Sequence, residues 1–97
     1  MIKNPNGCDM SRLRFKARQA LWYLEHCFAL QEESLTVTHT LDGKHMEGSL
    51  HFKNRAFDVL PAEHNPEELK KSVLLAMGKD YDLVTHGDHW HLEHDPK

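Results

Sequence analysis

Long apolar runs are missing from this sequence. The longest is far too short to span a bilayer, and Met1-Ile2-Lys3-Asn4-Pro5 has none of the parts of a secretory signal. The expectation is therefore cytoplasmic synthesis, with no signal peptide and no membrane partner. Cysteine is scarce. The chain has two, Cys8 and Cys27, at a spacing that fits neither a zinc nor a redox motif. Both are expected as free thiols, with Cys27 a small core residue on the apolar side of a helix. Excess positive charge is also absent. A net charge of −3 argues against a general nucleic-acid binder. Five of the twelve basic residues (Lys3, Arg12, Arg14, Lys16 and Arg18) gather near the N-terminus, where they read as a solvated helix face. No internal repeat, low-complexity tract or linker divides the chain. Residues 1–97 are thus expected to form one domain, a monomer, that buries roughly 60–65% of its unfolded surface.

Histidine is what the sequence has in excess. Of nine, five (His51, His86, His89, His91 and His94) lie in or beside two short stretches. The first stretch runs from Ser49 to Asp58. His51 and Asp58 are seven apart, which on one continuous strand would put them on opposite faces. A two-residue turn at Lys53-Asn54 would instead pair Phe52 with Arg55, His51 with Ala56 and Ser49 with Asp58. His51 and Asp58 then become diagonal neighbours on one face, with space beside small Ala56. One nitrogen and one carboxylate oxygen on a stiff element make half of a metal site.

The rest of the chain supplies the frame. Residues 1–10 read as an irregular lead, with turn chemistry in Asn4-Pro5-Asn6-Gly7 and Asp9 or Ser11 as a helix cap. Leu13, Ala17, Ala20, Leu21, Leu24 and Phe28 recur at helical spacing, which predicts an amphipathic helix over 12–31 with Trp22 and Tyr23 as rim packing. Alternation in Leu35 to Thr40 predicts a strand. Leu41 to Gly48 is a polar loop in which Lys44 or His45 is a candidate cation for a developing oxyanion. A second helix is signalled by Asn65 as cap, Pro66 at the first position and Glu68 as the capping acid. Its expected buried stripe is Leu69, Val73, Ala76 and Met77, and Gly78 ends it. Tyr81 to Thr85 and His89 to Glu93 read as a hairpin turning at His86-Gly87-Asp88, with His89, His91 and Glu93 on one face and Trp90 and Leu92 on the other. The fold class is α+β: a small, mostly antiparallel sheet, helices on one face and a zinc site on the other.

The second stretch, Asp88-His89-Trp90-His91-Leu92-Glu93, completes a pattern. Ser49-x-His51-x-x-Asn54-x-Ala56-x-Asp58 followed by Asp88-x-x-His91 resembles the zinc D-Ala-D-Ala metallopeptidases and their relatives. These include D-Ala-D-Ala dipeptidases, phage L-alanyl-D-glutamate endolysins and the Hedgehog signalling domain. The family pattern has glycine where this chain has Asn54, a residue that tolerates positive φ. The likeness covers Gly43 to Glu93, about half of the chain. It implies a compact Hedgehog-like fold without a wall-binding domain.

His51, Asp58 and His91 would supply two nitrogens and one oxygen to Zn2+. Three protein ligands leave a position open, the mark of a catalytic zinc. Asp88, freed from strand alternation by the turn, would act as general base and acid. The resemblance assigns the same roles, and it adds Ser49 as a residue that holds the site or the substrate. His89 faces the same way as His91 and competes with it as ligand, while Glu93 is a candidate ligand or second-layer partner. The implied activity is hydrolysis of a peptidoglycan stem peptide at a D-Ala-D-Ala or L-Ala-D-Glu bond. A phage or prophage enzyme would reach the wall after release. The alternatives are a zinc-binding structural or interaction module without activity, and an intracellular amidase or peptidase of other specificity.

Overall fold

The computed structural model describes residues 2–11, 13–40 and 55–95. Along the chain run β1 (Ile2–Lys3), α1 (Phe15–Leu30), β2 (Leu35–His39), β3 (Ala56–Val59), α2 (Pro66–Met77), β4 (Tyr81–Thr85) and β5 (Trp90–His94). The five strands form one sheet in the order β1-β2-β3-β5-β4. Three of its four pairings are antiparallel, and β1 lies parallel to β2 through Ile2↔Leu35 and Lys3↔Thr36. The sheet is therefore mixed, and the fold is α+β as expected.

The lead is not wholly irregular, since Ile2 and Lys3 extend the sheet. The expected turn follows. Asn4 Oδ1 accepts from the Cys8 N–H at 2.8 Å, and Gly7 sits at φ +64. Cys8 is then buried, and its Sγ lies 3.2 Å from the Thr38 carbonyl oxygen. Cys8 and Cys27 are both free thiols, Cys27 at the half-buried margin of the core.

α1 starts three residues later than its periodicity suggests. Asp9 does not cap it: its carboxylate accepts from the Ser11 N–H at 3.0 Å, closing a local turn. Arg14 holds the cap position without a side-chain bond. The Arg18 guanidinium donates back to the carbonyls of Ser11 and Leu13, at 2.8 and 3.1 Å, and pins this entry. At the other end the Glu33 N–H bonds the Phe28 carbonyl and the Glu32 N–H bonds that of Ala29, with Glu32 at φ 60. That is a Schellman ending with glutamate in glycine's usual place. Ala17, Ala20, Leu21, Leu24 and Phe28 enter the core as expected. Trp22 does not pack at a rim: it is 53% exposed.

In α2, Pro66 takes the first helical position and Glu67 and Glu68 the first turn, where acids suit the positive end of the helix. Asn65 stands at the cap in the left-handed conformation, φ 47, but makes no side-chain cap bond. A cap side chain reaches the free N–H groups from extended backbone, and the left-handed setting removes that reach. Leu69 and Val73 are buried, with Leu74 and Met77 packed against them, while Ala76 is exposed. Gly78 ends the helix as expected.

Both helices cover one face of the sheet. Leu35, Val37, Phe57, Val59, Leu83, Trp90 and Leu92 join Leu21, Leu24, Phe28, Leu69 and Val73 in a single core. Trp90 meets Phe28 edge-on, with ring centroids 6.0 Å apart, a favoured aromatic geometry. Among the described residues no helix is long and apolar enough to cross a membrane.

Candidate metal centre

β3 and β5 pair antiparallel through Ala56↔Glu93, Phe57↔Leu92, Asp58↔His91 and Val59↔Trp90. Side chains alternate along each strand, so Phe57, Val59, Trp90 and Leu92 turn to the helices. Asp58, His91 and Glu93 turn to the other face. Two of the residues expected to ligate metal, Asp58 and His91, are thus direct cross-strand neighbours. Asp58 Oδ1 lies 2.8 Å from His91 Nδ1, and the side chains are 12% and 21% exposed. A carboxylate only accepts, so Nδ1 carries the proton of this hydrogen bond.

The row continues on both sides. His91 Nε2 lies 3.6 Å from Glu93 Oε1, and His39 Nδ1 lies 3.8 Å from Asp58 Oδ2. His39 reaches Asp58 through an irregularity in β2. Val37 pairs with Val59 but His39 pairs with Asp58, so β2 spends two residues where β3 spends one. This bulge turns His39, half exposed, toward the polar face. Strict alternation from Leu35 would put His39 on the core face with Val37, so the sequence pattern gives no sign of its position. The cross-strand place beside Asp58 that the expected hairpin reserves for Ser49 is held by His39.

The donor set can be tested against zinc. Two ligands each about 2.0–2.2 Å from the ion stand about 3.3 Å apart at a tetrahedral angle. The Asp58–His91 separation of 2.8 Å is that of a hydrogen bond, so an ion held between these two atoms would require Nδ1 to give up its proton and the pair to part by about half an ångström. The chemistry also fits: one imidazole nitrogen and one carboxylate, half-buried on rigid strands. His51 and Ser49, with Lys44 and His45, lie outside the described residues, as does the turn at Lys53-Asn54. Among the described residues no group of three or more His, Cys, Asp or Glu is arranged to hold a metal.

Asp88 sits at the β4–β5 turn with its side chain 91% exposed. It lies 2.8 Å from His89 Nδ1, and the His89 ring stacks on His86 at a centroid distance of 4.5 Å. The hydrogen bond from His89 holds the Asp88 carboxyl below its ordinary value. His89 thus serves Asp88, while His91 is the histidine brought to Asp58. Next along β5, His94 packs against Tyr81, and burial lowers its pKa, with Arg55 adding to the shift.

Comparison with known proteins gives no match to a protein family, to a curated protein or to a solved structure.

Proposed function

We propose that this chain is a zinc-dependent peptidase that hydrolyses peptidoglycan stem peptides, with the compact Hedgehog-like fold of the D-Ala-D-Ala metallopeptidases. One observation carries the proposal. Asp58 and His91, 33 positions apart in the chain, are paired side by side on the sheet face away from the helices. These are two of the three ligands that the motif resemblance names. His51 is the third, and Ser49 contributes to substrate binding.

When bound, zinc supplies Lewis-acid polarisation of a peptide carbonyl and makes water acidic enough to react near neutral pH. Asp58 and His91 orient the site from adjacent strands. Asp88, ionised at neutral pH, takes a proton from the attacking water at its carboxylate and returns it to the departing amine. Releasing the His89 hydrogen bond strengthens Asp88 as a base, because that contact is what depresses its pKa. The substrate is a stem peptide cut at D-Ala-D-Ala or L-Ala-D-Glu, and the setting is wall degradation by a phage or prophage product.

The second reading is a zinc-binding structural or interaction module without activity. It is favoured by the Asp88 side chain, which is 91% exposed and engaged by its neighbour His89. Metal analysis tests what both readings share. Protein purified without chelator should carry one zinc per chain. His51→Ala, Asp58→Ala and His91→Ala should each lose most of it. Full metal retention in all three variants would remove the site.

A further inference from the structure

β2 carries one residue more than its pairing with β3 needs, and the chain holds that residue in place from outside the sheet. Val37 pairs with Val59 and His39 with Asp58, so Thr38 is the extra residue. A bulged residue loses its place in the ladder, and its carbonyl needs another partner. Asn6 Nδ2 donates to the Thr38 carbonyl at 3.1 Å, and Cys8 Sγ lies 3.2 Å from it. The segment that brings them is itself locked. The Asn4 side chain donates to the Cys8 carbonyl and accepts from the Cys8 N–H, both at 2.8 Å. Just past the bulge, Thr40 Oγ1 donates to the Asp9 carbonyl at 3.3 Å. The lead thus fixes an irregularity whose effect on the polar face is to turn His39 toward Asp58.

A carboxylate has two oxygens to place. Asp58 Oδ1 is 2.8 Å from His91 Nδ1, and Oδ2 is 3.8 Å from His39 Nδ1. β3 lies between β2 and β5, so the two imidazoles flank the carboxylate from opposite sides. The 3.8 Å contact is longer than a hydrogen bond. It shortens when Asp58 parts from His91, the movement that an ion between them requires, because away from β5 is toward β2. The His39 side chain, 50% exposed, has room to follow. Its Nδ1 also lies 3.3 Å from Thr38 Oγ1, an oxygen that can accept the same N–H until the carboxylate takes it.

We infer that His39 is a positioning residue of the zinc centre: its Nδ1–H donates to Asp58 Oδ2 and leaves Oδ1 directed at the metal. The inference rests on the zinc reading proposed above. A ligating carboxylate held at its second oxygen keeps one orientation, and losing such a partner weakens metal binding about 10–100-fold. In this role His39 touches neither the metal nor the substrate.

Zinc dissociation constants, measured by competition with a coloured chelator, test this together with melts of the metal-free protein. His39→Ala should weaken zinc about 10–100-fold. It should leave the metal-free melt unchanged, since a half-exposed side chain on the polar face packs into no core. His39→Asn should keep most of the parent's affinity, because its amide N–H stands near the place of Nδ1–H. A parent that binds no zinc removes the zinc reading and this inference with it. A parent that binds zinc while His39→Ala binds it as tightly overturns this inference alone. So does a His39→Asn that loses as much as His39→Ala, which would mark the nitrogen as a ligand and not a donor. So does a loss of affinity that comes with a lower metal-free melt, the mark of a structural role.

Discussion

His91 Nδ1 and Asp58 Oδ1 lie 2.8 Å apart across β5 and β3, both on side chains mostly withdrawn from water. The contact fixes the imidazole: with the proton on Nδ1, Nε2 is the acceptor and faces Glu93. His39 and Glu93 extend this polar row on either side, on the face of the sheet away from the helices.

Metal should contribute to stability, because an ion that binds only the folded chain shifts the equilibrium by mass action. At free zinc 100-fold above its dissociation constant the gain is about 2.7 kcal/mol. A strong chelator should lower the melting temperature by several degrees and added zinc should restore it. The same melt on His91→Ala should respond to neither.

Asp88 and His89 separate catalysis from binding. Asp88→Asn keeps the shape but cannot take a proton, so hydrolysis should fall about 10²-fold or more while zinc content and melting stay unchanged. His89→Ala frees the Asp88 carboxylate from its hydrogen bond and raises its pKa. The acid limb of the pH–rate profile should then move to higher pH, since the carboxylate must be ionised to act as base. Rates across pH for the parent and both variants are the check.

Glu33 ties the β3–α2 connection to the end of α1. Burial pushes its carboxyl up. Hydrogen bonds from the N–H groups of Glu63 and His64 and from the Gln31 amide outweigh this and leave it below its usual value. A lowered folded pKa gives stability that is present above the unfolded value of about 4.3 and lost as pH falls through the folded value. Glu33→Gln should destabilise the fold at neutral pH, by about 0.5–1 kcal/mol once solvent screening of this largely exposed carboxylate is allowed for, and progressively less below about pH 4. Urea denaturation at both pH values measures the difference.

Two glycines should respond differently to a methyl group. Gly78 ends α2 at φ 85 and ψ −168, a region almost closed to other residues, and nothing lies within 4 Å of an added Cβ. Gly78→Ala should cost about 1–3 kcal/mol from backbone strain alone. Gly87 also has open space but no positive φ. Gly87→Ala should change stability by about 0.5 kcal/mol or less. Thermal melts of the two variants decide this.

Periodicity carried most of the fold. The spacing of Ala17, Leu21, Leu24 and Phe28, and the alternation of Trp90 and Leu92 with His91 and Glu93, depend only on helix and strand geometry. What escaped depends on tertiary pairing. Ile2 and Lys3 become a strand because β2 offers an open edge, which no two-residue pattern announces. His39 reaches Asp58 through a bulge that reverses the expected alternation. In the site, the nearness of Asp58 and His91 was implied by the motif resemblance and comes from the pairing of β3 with β5, whereas the turn of Asp88 toward His89 comes from contacts within the hairpin.

Zinc-loaded protein incubated with a defined muropeptide that contains both bonds, and read by mass spectrometry, tests the central claim most directly. The expected result is a pair of products that together gain one water, formed at the D-Ala-D-Ala or L-Ala-D-Glu bond and absent with Asp88→Asn. An intact muropeptide after prolonged incubation with protein that carries one zinc per chain would contradict the peptidase.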